Sequence, residues 1–424
     1  MSVIYQLTKT SFIGIALFVG TMAFASEFDP IAATNAYLAS QSAEDIANTN
    51  GYVNTSYLIM VLELLMDLFI VYLVLSTGWS RKWRDLAERK LQNKFLQAFI
   101  YVPIFIIVSS AISLPLTWFS EFYTEHKYGL STQEFGAWFV ELVQGSAISA
   151  VIFSIFVALL YLVIRRSPTR WWIWGSSLSI VFLAVIMFLS PILIQPIFND
   201  YRPMDEGPLK ENILSIARAN GMKADDVKQV DESRQTNRIS ANVSGLFGST
   251  RIALNDNLLN RASEDGVEAV MAHEIGHYVL NHLWGNMSNF TLIFIACFAL
   301  TAGSFNTITQ RKGIEWGVRG IDDYAGLPLL YALVAVLLFV STPVLNKMTY
   351  AAEAEADIFA INATNNPDAW AEVALMTAKY RKLHPPEWEE NWLNHHPSPY
   401  VRIYTAMRWK AENLSDTPLQ KDDK

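Results

Sequence analysis

The chain has 424 residues, 52% of them hydrophobic and only 17% charged, with a mean hydropathy of +0.21. Soluble domains carry roughly 25% charged residues, so the composition excludes an ordinary soluble enzyme and calls for several membrane spans. A net charge of -8 leaves no basic footprint for nucleic acid, and the single cysteine, Cys297, excludes an intrachain disulfide and a cysteine-based zinc site.

The N-terminus carries Lys9, then a short apolar core, then the small-x-small pattern Ala23-Phe24-Ala25. Residues 1–25 therefore read as a signal peptide or as an uncleaved first transmembrane helix. On either reading, 26–56 lie outside the cytoplasm. The N-terminal membrane region, 26–197, holds four spans near 57–77, 97–119, 146–164 and 172–197, each long enough for a ~30 Å hydrocarbon core. Two further spans, 287–303 and 327–345, fall within 286–346 and are shorter or interrupted by Gly and Pro. Tryptophans at the span ends, among them Trp79, Trp118, Trp171 and Trp284, form an interfacial belt. Lys and Arg concentrate in the 78–96, 165–171 and 309–325 loops, while 26–56 has none and 120–145 has only Lys127. The positive-inside rule puts the basic loops in the cytoplasm. Residues 198–285 and the C-terminal tail then face out. Glu63 and Asp67 sit at i, i+4 in the first full span, either near a helix end at the interface or facing a hydrated interior.

Residues 198–285 read as a small α+β unit. A helix is expected over 205–221, short strands over 227–230, 239–243 and 250–254, and a second helix from a Ser263 cap to about Trp284. That second helix carries His273-Glu274-Ile275-Gly276-His277. Histidines at i, i+4 share a helix face and can reach one Zn2+, with Glu274 placed to take a proton from water at the open position. His282 is about 140° further round a continuous helix and is poorly placed for the same ion. A third ligand is needed. Glu353 and Asp357, again at i, i+4, can supply one carboxylate to bind the metal and one to orient a ligand histidine; a solvated acidic helix face is the other reading. Glu355 points elsewhere and reads as solvated. Two spans separate His277 from Glu353, so both lie on one side of the membrane, and 347–424 completes the catalytic unit. His396 and Arg402 can stabilise an oxyanion or hold a substrate carboxylate; a polar turn and helix start is the other reading.

The motifs at 121–130 (EFYTEHKYGL), 196–210, 240–259, 273–282 (HEIGHYVLNH), 353–357 and 396–402 (HPSPYVR) occur in order. In these the sequence resembles the integral-membrane CAAX prenyl protease 1 family of zinc metalloendopeptidases. The resemblance implies zinc ligands His273, His277 and Glu353, Glu274 as general base, Asp357 supporting a ligand, His396 and Arg402 acting on substrate, and Asn242 on a strand edge that pairs with bound peptide. The expected fold is mostly α, a polytopic membrane bundle of six to seven helices enclosing a chamber, with a small α+β zinc-peptidase unit. The expected partners are the bilayer and a peptide or protein substrate, lipidated or unmodified. Eukaryotic members face the cytosol, whereas the signal-like N-terminus and loop charges here suit a bacterial inner-membrane protein with a periplasmic site. Two alternatives make different demands on the sequence. A site-2-type intramembrane protease would bury its H-E-x-x-H in an apolar span, but this helix carries Glu264, Asp265 and Glu268. A transporter or scaffold would need no metal.

Overall fold

The computed structural model describes residues 28–246 and 249–414; the expected signal peptide or first helix, 1–25, lies outside the described residues. Helix α1, Pro30–Leu38, starts on a proline and is capped by Asp29. Helix α2, Ala43–Ser76, is capped by Ser42 and runs unbroken through the first expected span. It begins well before the apolar stretch, so its first turns project out of the bundle. Next come α3 (Trp79–Lys90), α4 (Ala98–Lys127), α5 (Phe135–Arg166) and α6 (Trp171–Phe198). Helices α4 and α6 each widen into a π turn, Trp118–Thr124 just after Pro115 and Ser190–Ile194 at Pro191.

The α+β unit comprises β1 (Tyr201–Pro203), α7 (Pro208–Ala219), β2 (Val227–Val230), β3 (Ala241–Leu246), β4 (Ser249–Asn255), α8 (Asp256–Arg261) and α9 (Glu264–Val279). The sheet order is β1-β2-β4-β3, with β2 and β4 parallel and the other pairs antiparallel. Strand β3 is therefore an edge. The three-residue β1 carries no alternating pattern and was not expected. Ile213, Ala217, Val227, Ile252, Leu258 and Met271 form the core between sheet and helices.

Helix α9 begins at the Ser263 cap, whose side chain accepts the Gly266 N–H. It stops at Val279 instead of reaching Trp284. Asn281 takes the left-handed conformation, φ 58°, and α10 (His282–Trp316) starts afresh in a new direction. After α10, the chain returns through α11 (Leu327–Thr364) and ends in α12 (Pro367–Met376), α13 (Glu387–Trp392) and α14 (Pro399–Leu414).

Among the described residues, six helices are long and apolar enough to cross a membrane: α2, α4, α5, α6, α10 and the 324–364 segment containing α11. The mostly α membrane bundle expected from composition is thus the architecture found. The basic loops gather at one end. There Arg84 pairs with Asp323 at 2.5 Å, both side chains buried, and donates to the Gly317 carbonyl, while Arg319 pairs with Glu88. The α+β unit sits at the other end. Around it pack the start of α2, through Thr49 Oγ1 to the Ala378 carbonyl at 2.7 Å, and the end of α4, through Glu125 to Arg238 at 2.6 Å.

Helices α9 and α11 pack closely. Ala269, Ala272 and Gly276 on α9 and Ala356 and Ala360 on α11 are all buried. A Cβ at Gly276 would lie 2.9 Å from the Phe359 ring of α11. Gly276→Ala should therefore push the helices apart at a cost of about 1–3 kcal/mol, seen as a lower thermal unfolding midpoint in detergent.

Candidate metal centre

The α9–α11 contact sets the site. His273 and His277 lie one turn apart on α9, and Glu353 and Asp357 one turn apart on α11. His273 Nε2 and His277 Nε2 face each other at 3.1 Å. The two Glu353 oxygens meet them, Oε2 at 3.2 Å from His273 and Oε1 at 3.4 Å from His277. One ligand atom from each residue falls within a 4.8 Å cluster. Two imidazoles and one carboxylate are a known donor set for catalytic zinc that leaves one position open, so the residues present fit such an ion.

Both ligand-type histidines are held from behind. His273 Nδ1 lies 3.0 Å from Asp357 Oδ1, and its ring stacks on buried Trp370 with centroids 5.1 Å apart. Burial opposes a charge on His273, but Asp357 and Glu353 outweigh it and hold its pKa at about 9. Metal binding would therefore release a proton there. His277 Nδ1 lies 2.8 Å from His282 Nδ1, and His282 Nε2 lies 3.2 Å from Glu355 Oε2. The expectation for His282 assumed a helix that continues past Leu280. The break at Asn281 swings His282 back onto His277, and Glu355, exposed as expected, reaches it. An asparagine just past the last helical turn was the available signal for that break.

Glu274 lines a cavity of about 250 Å³ with His273, His277, Glu353 and His396. Burial raises its carboxyl pKa, with His273 and His277 pulling the other way. His396 Nε2 is 3.3 Å from Glu353 Oε1, and burial, then the Arg381 charge, keep its ring neutral. Arg402, expected to act on substrate, is engaged elsewhere. Its Nη2 donates to Glu353 Oε2 at 3.1 Å, and its Nε lies 3.0 Å from Asp357 Oδ2, with the side chain 5% exposed. Ile239, Ser240 and Ala241 form one cavity wall; Asn242 is the next residue on β3, opposite Ala253. Sequence reasoning also missed Trp370 and Arg381. Both lie in stretches without a motif.

Glu63 lines a separate cavity of about 570 Å³ between α2, α4 and α5, together with Glu121, Glu125 and Arg238. Asp67 instead accepts the Tyr331 hydroxyl at 2.6 Å.

Two family models cover nearly all of the described chain. "CAAX prenyl protease N-terminal, five membrane helices" matches residues 34–200, and "Peptidase family M48" matches 203–410. The chain belongs to peptidase family M48. It is a membrane-embedded metalloprotease. An uncharacterized metalloprotease of Bacillus subtilis, YhfN, is 29% identical over 374 residues, covering 88% of this chain and 87% of that one. A CAAX prenyl protease 1 homolog of Oryza sativa subsp. japonica is 27% identical over 353 residues, 81% of each chain. The crystal structure of S. mikatae Ste24p has the same fold, with a TM-score of 0.72 at 22% identity over 87% of this chain and 89% of that one. Helix α9, which carries H-E-x-x-H, is not among the described helices long and apolar enough to cross a membrane, unlike the arrangement of a site-2-type protease.

His282→Phe should weaken divalent-metal binding about 10- to 100-fold, measured by competition with a chelating dye. Glu355→Gln should have a smaller effect, because that carboxylate is mostly solvated.

Proposed function

We propose that the chain is a zinc endopeptidase that cuts membrane-associated or unfolded polypeptides, lipidated or unmodified, with residues 198–285 and 347–424 as its catalytic unit. The observation that carries this is the convergence of His273, His277 and Glu353 beside Glu274 in one cavity. Bound there by those three residues, Zn2+ would supply a Lewis acid that polarises the scissile carbonyl and acidifies a water. Glu274 takes the proton as a C–O bond forms at that carbonyl. It then gives the proton to the leaving amine as the C–N bond breaks, and its burial-raised basicity suits both steps. Neutral His396 can donate a hydrogen bond to the oxyanion. Arg402 and Asp357 brace Glu353 and His273. Peptide lies along the free edge of β3 at Asn242, where backbone pairing binds without choosing side chains.

The catalytic end faces the periplasm of a bacterial inner membrane in this proposal. Support comes from the basic loops, which all meet at the opposite end around Arg84, Asp323 and Arg319.

Detergent-purified protein should cleave both prenylated and unmodified fluorogenic peptides. Glu274→Gln should lose at least about 100-fold in rate while keeping one zinc per chain by elemental analysis; loss of zinc in that variant would move Glu274 into the ligand set. In intact cells, Lys410→Cys should react with a membrane-impermeant maleimide and Lys90→Cys should not. The reverse pattern would turn the protein over.

A further inference from the structure

A second pocket, of about 230 Å³, adjoins the metal cavity, and the two share Tyr380, Arg381 and His396. Arg381 follows the short turn Thr377–Lys379, and its backbone N–H is tied to the Thr377 carbonyl at 3.0 Å. Its Nη1 is buried and without a hydrogen-bond partner. The guanidinium forms no ion pair among the described residues and lies against the Tyr380 ring, 5.7 Å from its centroid.

The neighbouring cations differ. Arg402 is spent on Glu353 and Asp357. Lys382, in the same pocket, pairs with buried Glu389 at 2.8 Å. Burial, then Arg402, lower the pKa of Arg381 to about 10, so it stays charged at neutral pH. Among the Lys and Arg side chains that line these two cavities, Arg381 is thus the one with no carboxylate within ion-pair distance among the described residues. Burying a guanidinium without a partner is unfavourable, and its planar fork matches one carboxylate.

We propose that Arg381 receives a carboxylate of the bound peptide, either its chain-terminal carboxylate or an Asp or Glu side chain close to the scissile bond. The inference rests on the peptidase reading and adds a selectivity to it. A free fatty acid or phosphate fits less well, because the pocket offers one charge and opens directly onto the site of peptide hydrolysis.

The test uses the full chain in detergent and two peptide pairs of one core sequence: a free-acid against an amidated C-terminus, and an internal Glu against Gln. Wild type should prefer the carboxylate member of one pair by about 10- to 100-fold in kcat/KM, mostly through KM. The pair that responds identifies the source of the carboxylate. In R381Q that ratio should fall close to one, while R381K, which keeps the charge, should retain part of it. The same ratios are read as Kd by fluorescence anisotropy on the non-hydrolysing E274Q variant, so binding is seen without turnover. Equal values within both pairs for wild type, or an unchanged preference in R381Q, would overturn the proposal. Preferential binding without cleavage would leave Arg381's role standing and remove the peptidase reading.

Discussion

Glu353 is the point on which the α+β unit and the C-terminal helices close. Its two oxygens are approached by His273, His277, His396 and Arg402, within 3.1–3.4 Å. Those residues come from α9, from the turn before α14 and from α14 itself. A buried carboxylate needs such partners, because burial without them is costly. Each partner is buried or half-buried in turn, and Asp357 takes the remaining faces of His273 and Arg402. Opposite charges are thus paired around one side chain, and the apolar packing of Ala269, Ala272, Ala360 and Trp370 seals the cluster from below.

Bringing Glu353 to α9 is a task for the membrane helices. The chain leaves the α+β unit through α10, turns at the far end and returns along α11, so residues 273 and 353 meet although two crossings lie between them. The far turn has to be firm for the return to land correctly. Arg84 fixes it by bonding the Gly317 carbonyl and Asp323 together, and Tyr101, Tyr161 and Tyr324 stack around that pair. The lock and the metal site lie at opposite ends of the same two helices.

The sequence was legible where a repeat of fixed geometry carried the information. Long apolar runs located the six membrane-capable helices among the described residues, and i, i+4 spacing marked His273 with His277 and Glu353 with Asp357 as pairs on single faces. It was less legible where one backbone dihedral redirects the chain. Treating 263–284 as one helix put His282 on the wrong side, and the left-handed Asn281 reverses that. Charge pairing was least legible. Arg381, Lys382 and Arg402 are equivalent cations on paper, yet Glu389 neutralises one, Glu353 and Asp357 another, and only Arg381 is left without a carboxylate among the described residues. Those pairings cross 7 to 49 positions of the chain, and no local pattern encodes them.

The same break ties the metal site to the bilayer. His277 belongs to the last turns of α9, but the group behind its Nδ1 is the first residue of α10, a membrane helix, and that group leans on Glu355 of α11, another. The aim of one ligand-type imidazole is therefore set by the separation of two spanning helices. A fragment ending at α9 would keep both histidines and lose Glu353, His282 and Asp357. It would hold two donors of three, with neither ring oriented. The α+β unit and the membrane bundle form one candidate site, because the bundle carries Glu353 and the groups that hold His273 and His277 in place.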